Sequence, residues 1–490
     1  MGSCFQPPRQ GGGFYVKMEY MKLQSINPTT EESLGEFESY SEGMVFDAVE
    51  KARKSFEGWK NTPIEKRENI IKNFSQILVK KKNEIAELIT KEMGKPIIES
   101  EGEVDEIPGL TEWFLKETKN IIKDENIKLD IDNASAKVKF EPIGIVGLIT
   151  PWNFPISTPA WKIIPALLTG NTVVFKPSEL STFCGLKIDE ILKEAGLPEG
   201  VFNTITGDGT TGKHLVASKV NMISFTGSSA VGKDVAGSSG KSLKKVVLEL
   251  GGSDPCIVFD DAILEQAINA ALFGRFLNCG QVCTAAKRTF VDRKIYNSFI
   301  EKFVQKVKVL KVGNPLERKT EIGPIVSKAQ LENLEVQVKD AVSKGAKLLC
   351  GGKRLEGKGY FYEPTVLTDI TDEMLVAKEE VFGPVASVFN FESVEEVIKM
   401  ANNTKYGLGA SVWTSNSKKA ERVVDGIESG MVWINDFGTP YPQCPQGGIK
   451  ESGIGRELSK YGILEFCNMK TIVNSKDETV KKPWWFPYNS

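Results

Sequence analysis

The sequence predicts an α/β protein built on doubly wound parallel sheet. Three observations carry that expectation. First, from Gly144 onward short runs rich in Val, Ile and Phe (GIVGLIT, NTVVFKPS, VFNTITG, MISFTGS, KKVVLELGG) alternate with amphipathic stretches (CGLKIDEILKEAG, TTGKHLVAS, SAVGKDVAG). Strand-helix alternation with short Gly-rich joints is the pattern of parallel strands joined by crossover helices. Second, a further set of strand-like runs (TFVDR, AKLLCGG, ASVWTS, MVWIND) lies between about residues 255 and 444 and implies a second α/β unit. Third, 490 residues exceed one ordinary domain.

The elements follow in order. Between Met44 and Glu92, MVFDAVEKARKSFEGWK and KRENIIKNFSQILVKKKNEIAELITKEMGK place apolar residues three and four apart, the spacing of amphipathic helices. MGKP ends the second with Gly then Pro. One more helix is expected from Glu99 to Lys119. IKLDIDNASAKVKFEP then alternates around an NAS turn and reads as a hairpin. GDGTTG (207–212) fits the G-x-G-x-x-G dinucleotide pattern after a strand and before a helix, a weak rival for the phosphate turn because it stands alone. Residues 1–21 have no apolar core segment and read as a disordered leader. The tail ends in the aromatic cluster PWWFPY, which is expected to be covered by the fold or by a partner subunit.

Composition narrows the function. Net charge is −2 and pI about 6.0, so no basic excess points to nucleic acid or an anionic membrane surface. No apolar run approaches about 18 residues, and no membrane span is expected. Eight scattered cysteines do not resemble a disulfide framework, and the cytoplasm is the expected address. With His214 the single histidine, a His-rich metal site is impossible and no metal is expected.

NCGQVCT (278–284) holds two thiols around a Gly-Gln break. Cys283 opens CTAAKRTF, which reads as a helix; a thiol at a helix N-terminus has its pKa lowered from about 8.5 toward neutrality. Cys279 has no such place and reads as a packing residue. The ordinary reading of both is as small buried hydrophobes.

That reading weakens beside five other stretches: TPWNFP (150–155), FKPSE (175–179), FTGSSAVG (225–232), LELGG (248–252) and EEVFGP (379–384). In this order, with GQVC, they resemble the aldehyde dehydrogenase superfamily from about Asn27 to the C-terminal PWWFPY. The resemblance implies a Rossmann-like cofactor domain (22–117 and 139–250), an α/β catalytic domain (251–443) and a small β oligomerisation extension (118–138 and 468–490), in a homodimer or homotetramer. It implies that Cys283 attacks the aldehyde carbon. Asn153 and the Cys283 N–H would hold the oxyanion, and Glu249 would activate the water that hydrolyses the thioester. Glu249 favours a free acid over transfer to coenzyme A, since acylating relatives lack this base.

For the cofactor, NAD or NADP, the resemblance points to Lys176 and Glu179 at the adenosine ribose. Gly227, Ser228 and Gly232 would stand at the pyrophosphate turn, Glu380 at the nicotinamide ribose, and Trp152 and Phe382 beside the nicotinamide. The substrate pocket would be walled by Phe154 and Trp161, with Tyr441 and Gln443 from the 435–448 loop as hydroxyl partners. Succinate-semialdehyde dehydrogenases use arginines where this chain has Trp161 and Leu277, and Arg275 is two positions off. A small hydroxyaldehyde such as glyceraldehyde or lactaldehyde is therefore at least as well supported as a semialdehyde. A succinate-semialdehyde enzyme and a coenzyme-A-acylating enzyme are the alternatives.

Overall fold

The computed structural model describes residues 21–130, 133–438 and 440–476, and Trp485. The leader and most of the aromatic tail lie outside the described residues.

A six-stranded sheet forms the first half. Its order is Gly453–Ile454, Lys245–Glu249, Met222–Thr226, Ile145–Ile149, Thr172–Lys176, Phe202–Thr204. All neighbours are parallel except the two-residue edge strand. The chain runs outward from Ile145–Ile149 to Phe202–Thr204, then returns to Met222–Thr226 on the other side. The order reverses between Ile145–Ile149 and Met222–Thr226, and a ligand crevice opens at the carboxyl ends of strands at such a switch point. Ile145–Ile149 and Thr172–Lys176 are buried throughout, as the unbroken apolar runs required.

The second half is a seven-stranded sheet ordered Lys347–Cys350, Thr365–Thr368, Val385–Phe391, Ala286–Asp292, Asp254–Val258, Gly409–Trp413, Met431–Ile434, parallel but for its first pair. A third sheet pairs Cys467–Ser475, Ala134–Pro142 and Glu125–Ile127 antiparallel, and leaves Met469 and Val473 exposed. The hairpin expected around NAS is the Glu125–Ile127/Ala134–Pro142 pair.

The N-terminal helices are Glu42–Lys60, Ile64–Lys80, Lys82–Met93, Ile97–Asp105 and Ile107–Ile121. The single helix expected over 99–119 is therefore two. Pro108 explains the break: it has no N–H to donate and its ring clashes with the carbonyl four residues back. Gly94 (φ 81°) ends Lys82–Met93 in the left-handed region, as MGKP suggested.

The two halves are sewn together beside this turn. Ile97 N donates to Pro315 O (2.8 Å), Arg318 forks onto Glu101 (2.6 and 3.1 Å), and Tyr360 N donates to Pro28 O (2.9 Å). Gly359 N donates to Glu31 Oε1 (2.8 Å). A Cβ on Gly323 would collide with Gly94 O, so the backbones meet there with no side chain between.

Candidate active site

Helix Leu264–Phe276 ends in a one-turn 3-10 segment, Leu277–Gly280, that no regular element explains. Asn278 (φ 52°), Cys279 (φ 57°) and Gly280 (φ 72°) are consecutive left-handed residues. For the two with side chains this costs about 1–3 kcal/mol each, and it persists only where surroundings impose it. Four remote elements do so. Glu99 Oε2 accepts from Asn278 N (2.8 Å). Arg275, fully buried, donates to the carbonyls of Gly280 (2.8 Å), Val381 (3.3 Å) and Gly383. Gln281 Oε1 accepts from Val326 N (2.9 Å). Asn153 Nδ2 donates to Gln281 O (3.0 Å), while Asn278 Nδ2 donates to Asn153 O (3.0 Å). The kink seals Cys279 inside at 1% exposure and leaves Cys283 half-buried.

The helix expected after Cys283 is absent. Cys283 sits in a turn that runs into strand Ala286–Asp292, which pairs in parallel with Asp254–Val258 and Val385–Phe391. Sheet pairing on both sides outweighs the local helical bias of CTAAKRTF. No helix dipole lowers the thiol, so that part of the sequence argument fails. Burial pushes the Cys283 thiol up to about 12, and the charges of Glu380, Asp254 and Glu249 add to the rise while Lys287 opposes it.

Glu249 closes strand Lys245–Glu249 and is 7% exposed, with Oε1 lacking a partner. Burial raises its carboxyl to about 8 against the pull of Lys162 and Arg456. A Cβ on Gly252 would lie 2.7 Å from Cys283 O, so the LELGG stretch abuts the thiol's own peptide. Behind it, the ammonium of Lys162 is buried in helix Ser157–Leu168 against Glu457 and Ser224 Oγ (3.1 Å) and is held down to about 7 by burial. Asn153, Glu249 and Cys283 are thus neighbours: Asn153 bonds the main chain two residues before Cys283, and the charge of Glu249 acts on the thiol.

The crevice lies at the switch point. Trp152 and Phe382 meet edge to face, ring centroids 5.5 Å apart. Lys176 Nζ pairs with Glu179 Oε2 (3.2 Å) at the end of Thr172–Lys176. Ser228 caps helix Ser229–Gly240 by accepting from Val231 N (3.4 Å). Gly232 lets this helix close on Leu250, where any Cβ would collide. Glu380 Oε1 accepts from Gly252 N (3.2 Å) and pairs with Lys287 Nζ (2.9 Å). A capped helix N-terminus, a polar pair at the outer strand end and an aromatic pair at the mouth suit a dinucleotide. GDGTTG does not: its helix Gly209–Ala217 is capped by Asp208 (Oδ1 to Thr210 N, 2.8 Å), a carboxylate that would repel a phosphate, and it follows the sheet's outermost strand.

Of the expected pocket residues, Phe154 and Trp161 are half-buried beside a group of buried charges. Phe154 packs under the Lys95 ammonium (3.9 Å to the ring centroid), and Lys95 pairs with buried Glu103. Trp161 stands beside Glu106, whose carboxyl is raised to about 7 by burial and by Glu103, with Oε1 unpartnered. Tyr441 and Gln443 are exposed, and the Tyr441 hydroxyl lies 3.3 Å from Asp436 Oδ2. Sequence reasoning missed Lys95, Glu99, Glu103, Lys162, Lys287 and Glu457. For Lys162 a signal existed, a lone charge inside the apolar WKIIPALL.

Residues 15–472 match the Aldehyde dehydrogenase family. The chain belongs to that family. It is 41% identical over 462 residues to human retinaldehyde dehydrogenase 3, covering 92% of this chain and 89% of that one. Among solved structures, an NADP dependent enzyme of E. coli superposes with a TM-score of 0.91 at 36% identity, covering 93% and 95% of the two chains. The betaine aldehyde dehydrogenase of Staphylococcus aureus in complex with NAD+ gives a TM-score of 0.91 at 35% identity, covering 95% and 93%. This aldehyde dehydrogenase is an NAD(P)-dependent oxidoreductase. Among the described residues no helix is long and apolar enough to cross a membrane, and no cluster of metal-ligating side chains occurs.

Proposed function

We propose that the chain oxidises a short aldehyde to its free acid through a cysteine thioester. That Asn153, Glu249 and Cys283 are neighbours carries this reading. The Cys283 thiol gives its proton to solvent water, the thiolate adds to the carbonyl carbon, and the resulting oxyanion is held by the Cys283 N–H and the second N–H of Asn153. The first N–H of that amide is spent on Gln281 and fixes its aim. Bound NAD(P) supplies the hydride acceptor, with Lys176, Glu179, Gly227, Ser228 and Glu380 to hold it and Trp152 and Phe382 at its reactive end. Glu249 takes a proton from water as the thioester is hydrolysed.

For the substrate, the site favours an aldehyde whose tail donates hydrogen bonds over one bearing a carboxylate. Arg275 is fully buried, with Nη2 donating to three backbone carbonyls, and although Glu103 is spent on Lys95 and the N–H groups of Ile156 and Ser157, Glu106 stands beside Trp161 with Oε1 unpartnered. A small hydroxyaldehyde fits this lining. So does a cationic aldehyde, a second reading favoured by the unpartnered Glu106 oxygen and by likeness to a betaine aldehyde dehydrogenase. The chain is read as a cytoplasmic homodimer or homotetramer, supported by the exposed apolar side chains of the third sheet.

The test is NAD+ and NADP+ reduction against glyceraldehyde, lactaldehyde, 4-aminobutyraldehyde, betaine aldehyde and succinate semialdehyde. Activity is expected without coenzyme A and falls at least about a thousandfold in Cys283→Ser. A requirement for coenzyme A rejects the mechanism. Succinate semialdehyde leading by about a hundredfold in kcat/KM rejects the substrate reading.

A further inference from the structure

We propose that Lys287 is a positioning residue that binds the nucleophile's main chain to the cofactor-side carboxylate of Glu380, so that one buried cation serves both. The proposal rests on the roles given above to Cys283 and Glu380. Lys287 lies on strand Ala286–Asp292 with its side chain 1% exposed. Its ammonium donates to Cys283 O and pairs with Glu380 Oε1 at 2.9 Å, and it stands 5.8 Å from the centroid of the Phe382 ring. Lysine is almost never fully buried without a partner, and here both partners belong to the candidate site.

The surrounding charges make this cation consequential. Glu249 faces the sulfur from the cofactor sheet, Asp254 from the adjoining strand and Glu380 from the segment before Val385–Phe391. Both Asp254 oxygens are buried without hydrogen-bond partners. Arg288, next on the strand, is spent on the carbonyls of Ser253 (3.0 Å), Met400 (3.1 Å) and Ala401 (2.7 Å). Three carboxyl groups therefore oppose thiolate formation and Lys287 favours it, from a point bonded to the same residue's carbonyl. A neighbouring cation stabilises a thiolate where helix-dipole help is missing. The tie to Glu380 links two backbone segments, the thiol turn and the EEVFGP loop.

The test uses full-length enzyme and iodoacetamide. The pH midpoint of Cys283 alkylation and the KM for NAD+ are measured in the parent, Lys287→Met, Lys287→Arg and Glu380→Gln, with Cys283→Ser as the control. Lys287→Met is expected to move the midpoint up by at least about one unit, a tenfold slower reaction at a given pH, and to raise KM several-fold. Lys287→Arg recovers part of both. Glu380→Gln moves the midpoint the opposite way, down, while still raising KM. Opposite signs from two members of one ion pair are not produced by loss of packing. An unshifted or lowered midpoint in folded Lys287→Met overturns the proposal. Should that variant not fold, a midpoint in Glu380→Gln that stays or rises overturns it. Retention of activity in Cys283→Ser would instead sink the reading of the site itself, whatever Lys287 does.

Discussion

The turn at Thr226–Ser229 and the loop from Phe276 to Ala286 both present chemistry to the same crevice, yet they are built in opposite ways. The first is local: a buried strand ends, Gly227 turns, Ser228 caps, and a helix begins. The second is held from a distance by Glu99, Asn153, Val326 and, through the adjoining Arg275, Val381 and Gly383 around three left-handed residues. A site that must only receive a phosphate can be made by neighbours in sequence. A site that must fix one sulfur against one carbonyl is made by the tertiary structure and carries its strain.

Four substitutions probe this contrast. The largest effect is expected from Glu249→Gln, which removes the base and lowers steady-state turnover by about a thousandfold while a burst of NADH marks the formed thioester. In the parent, a carboxyl held near 8 is neutral below that pH and basic above it, so turnover limited by hydrolysis climbs from about pH 7 to 9. The raised value also means that the native state keeps a proton the unfolded chain releases. Stability therefore falls as pH rises from the usual 4.5 toward 8, and Glu249→Gln flattens that slope in melting curves.

Asn153→Ala strikes the second region, removing an oxyanion donor and the support of Gln281. A loss of about 10²–10³ in kcat is expected; a change confined to the aldehyde KM would argue against the oxyanion role. Arg275→Met tests the wiring alone. It strands three buried carbonyls, and denaturant titration should report about 3 kcal/mol of lost stability. Ser228→Ala is the smallest: loss of one N-cap costs about 1 kcal/mol. Combined with Arg275→Met, its stability effect should simply add; strong coupling would mean that the two regions are not independent.

The same contrast explains what the residues alone revealed. The central strands of both large sheets announce themselves as apolar runs between Gly-rich turns, because their burial is complete. Ser228, Gly232 and the crevice at the strand ends follow from them. The helix assigned to CTAAKRTF failed because pairing on both sides of Ala286–Asp292 is invisible to local propensity. The break before Pro108 has its cause in the sequence, since a proline lacks the N–H that a continuous helix over 99–119 needs there. Lys287, Glu99 and Glu457 read as surface charges among many others, since nothing in their flanking residues tells a solvated charge from one folded inside.

The stitches beside Gly94 bear on how the enzyme can move. Two lobes pinned backbone to backbone at 94–97 against 315–324, with Pro28 and Glu31 fastened to 359–360, cannot swing apart like a jaw without breaking those bonds. Separation of the lobes is thus the costly motion, since several main-chain bonds would have to break together, and rearrangement of side chains is the cheap one.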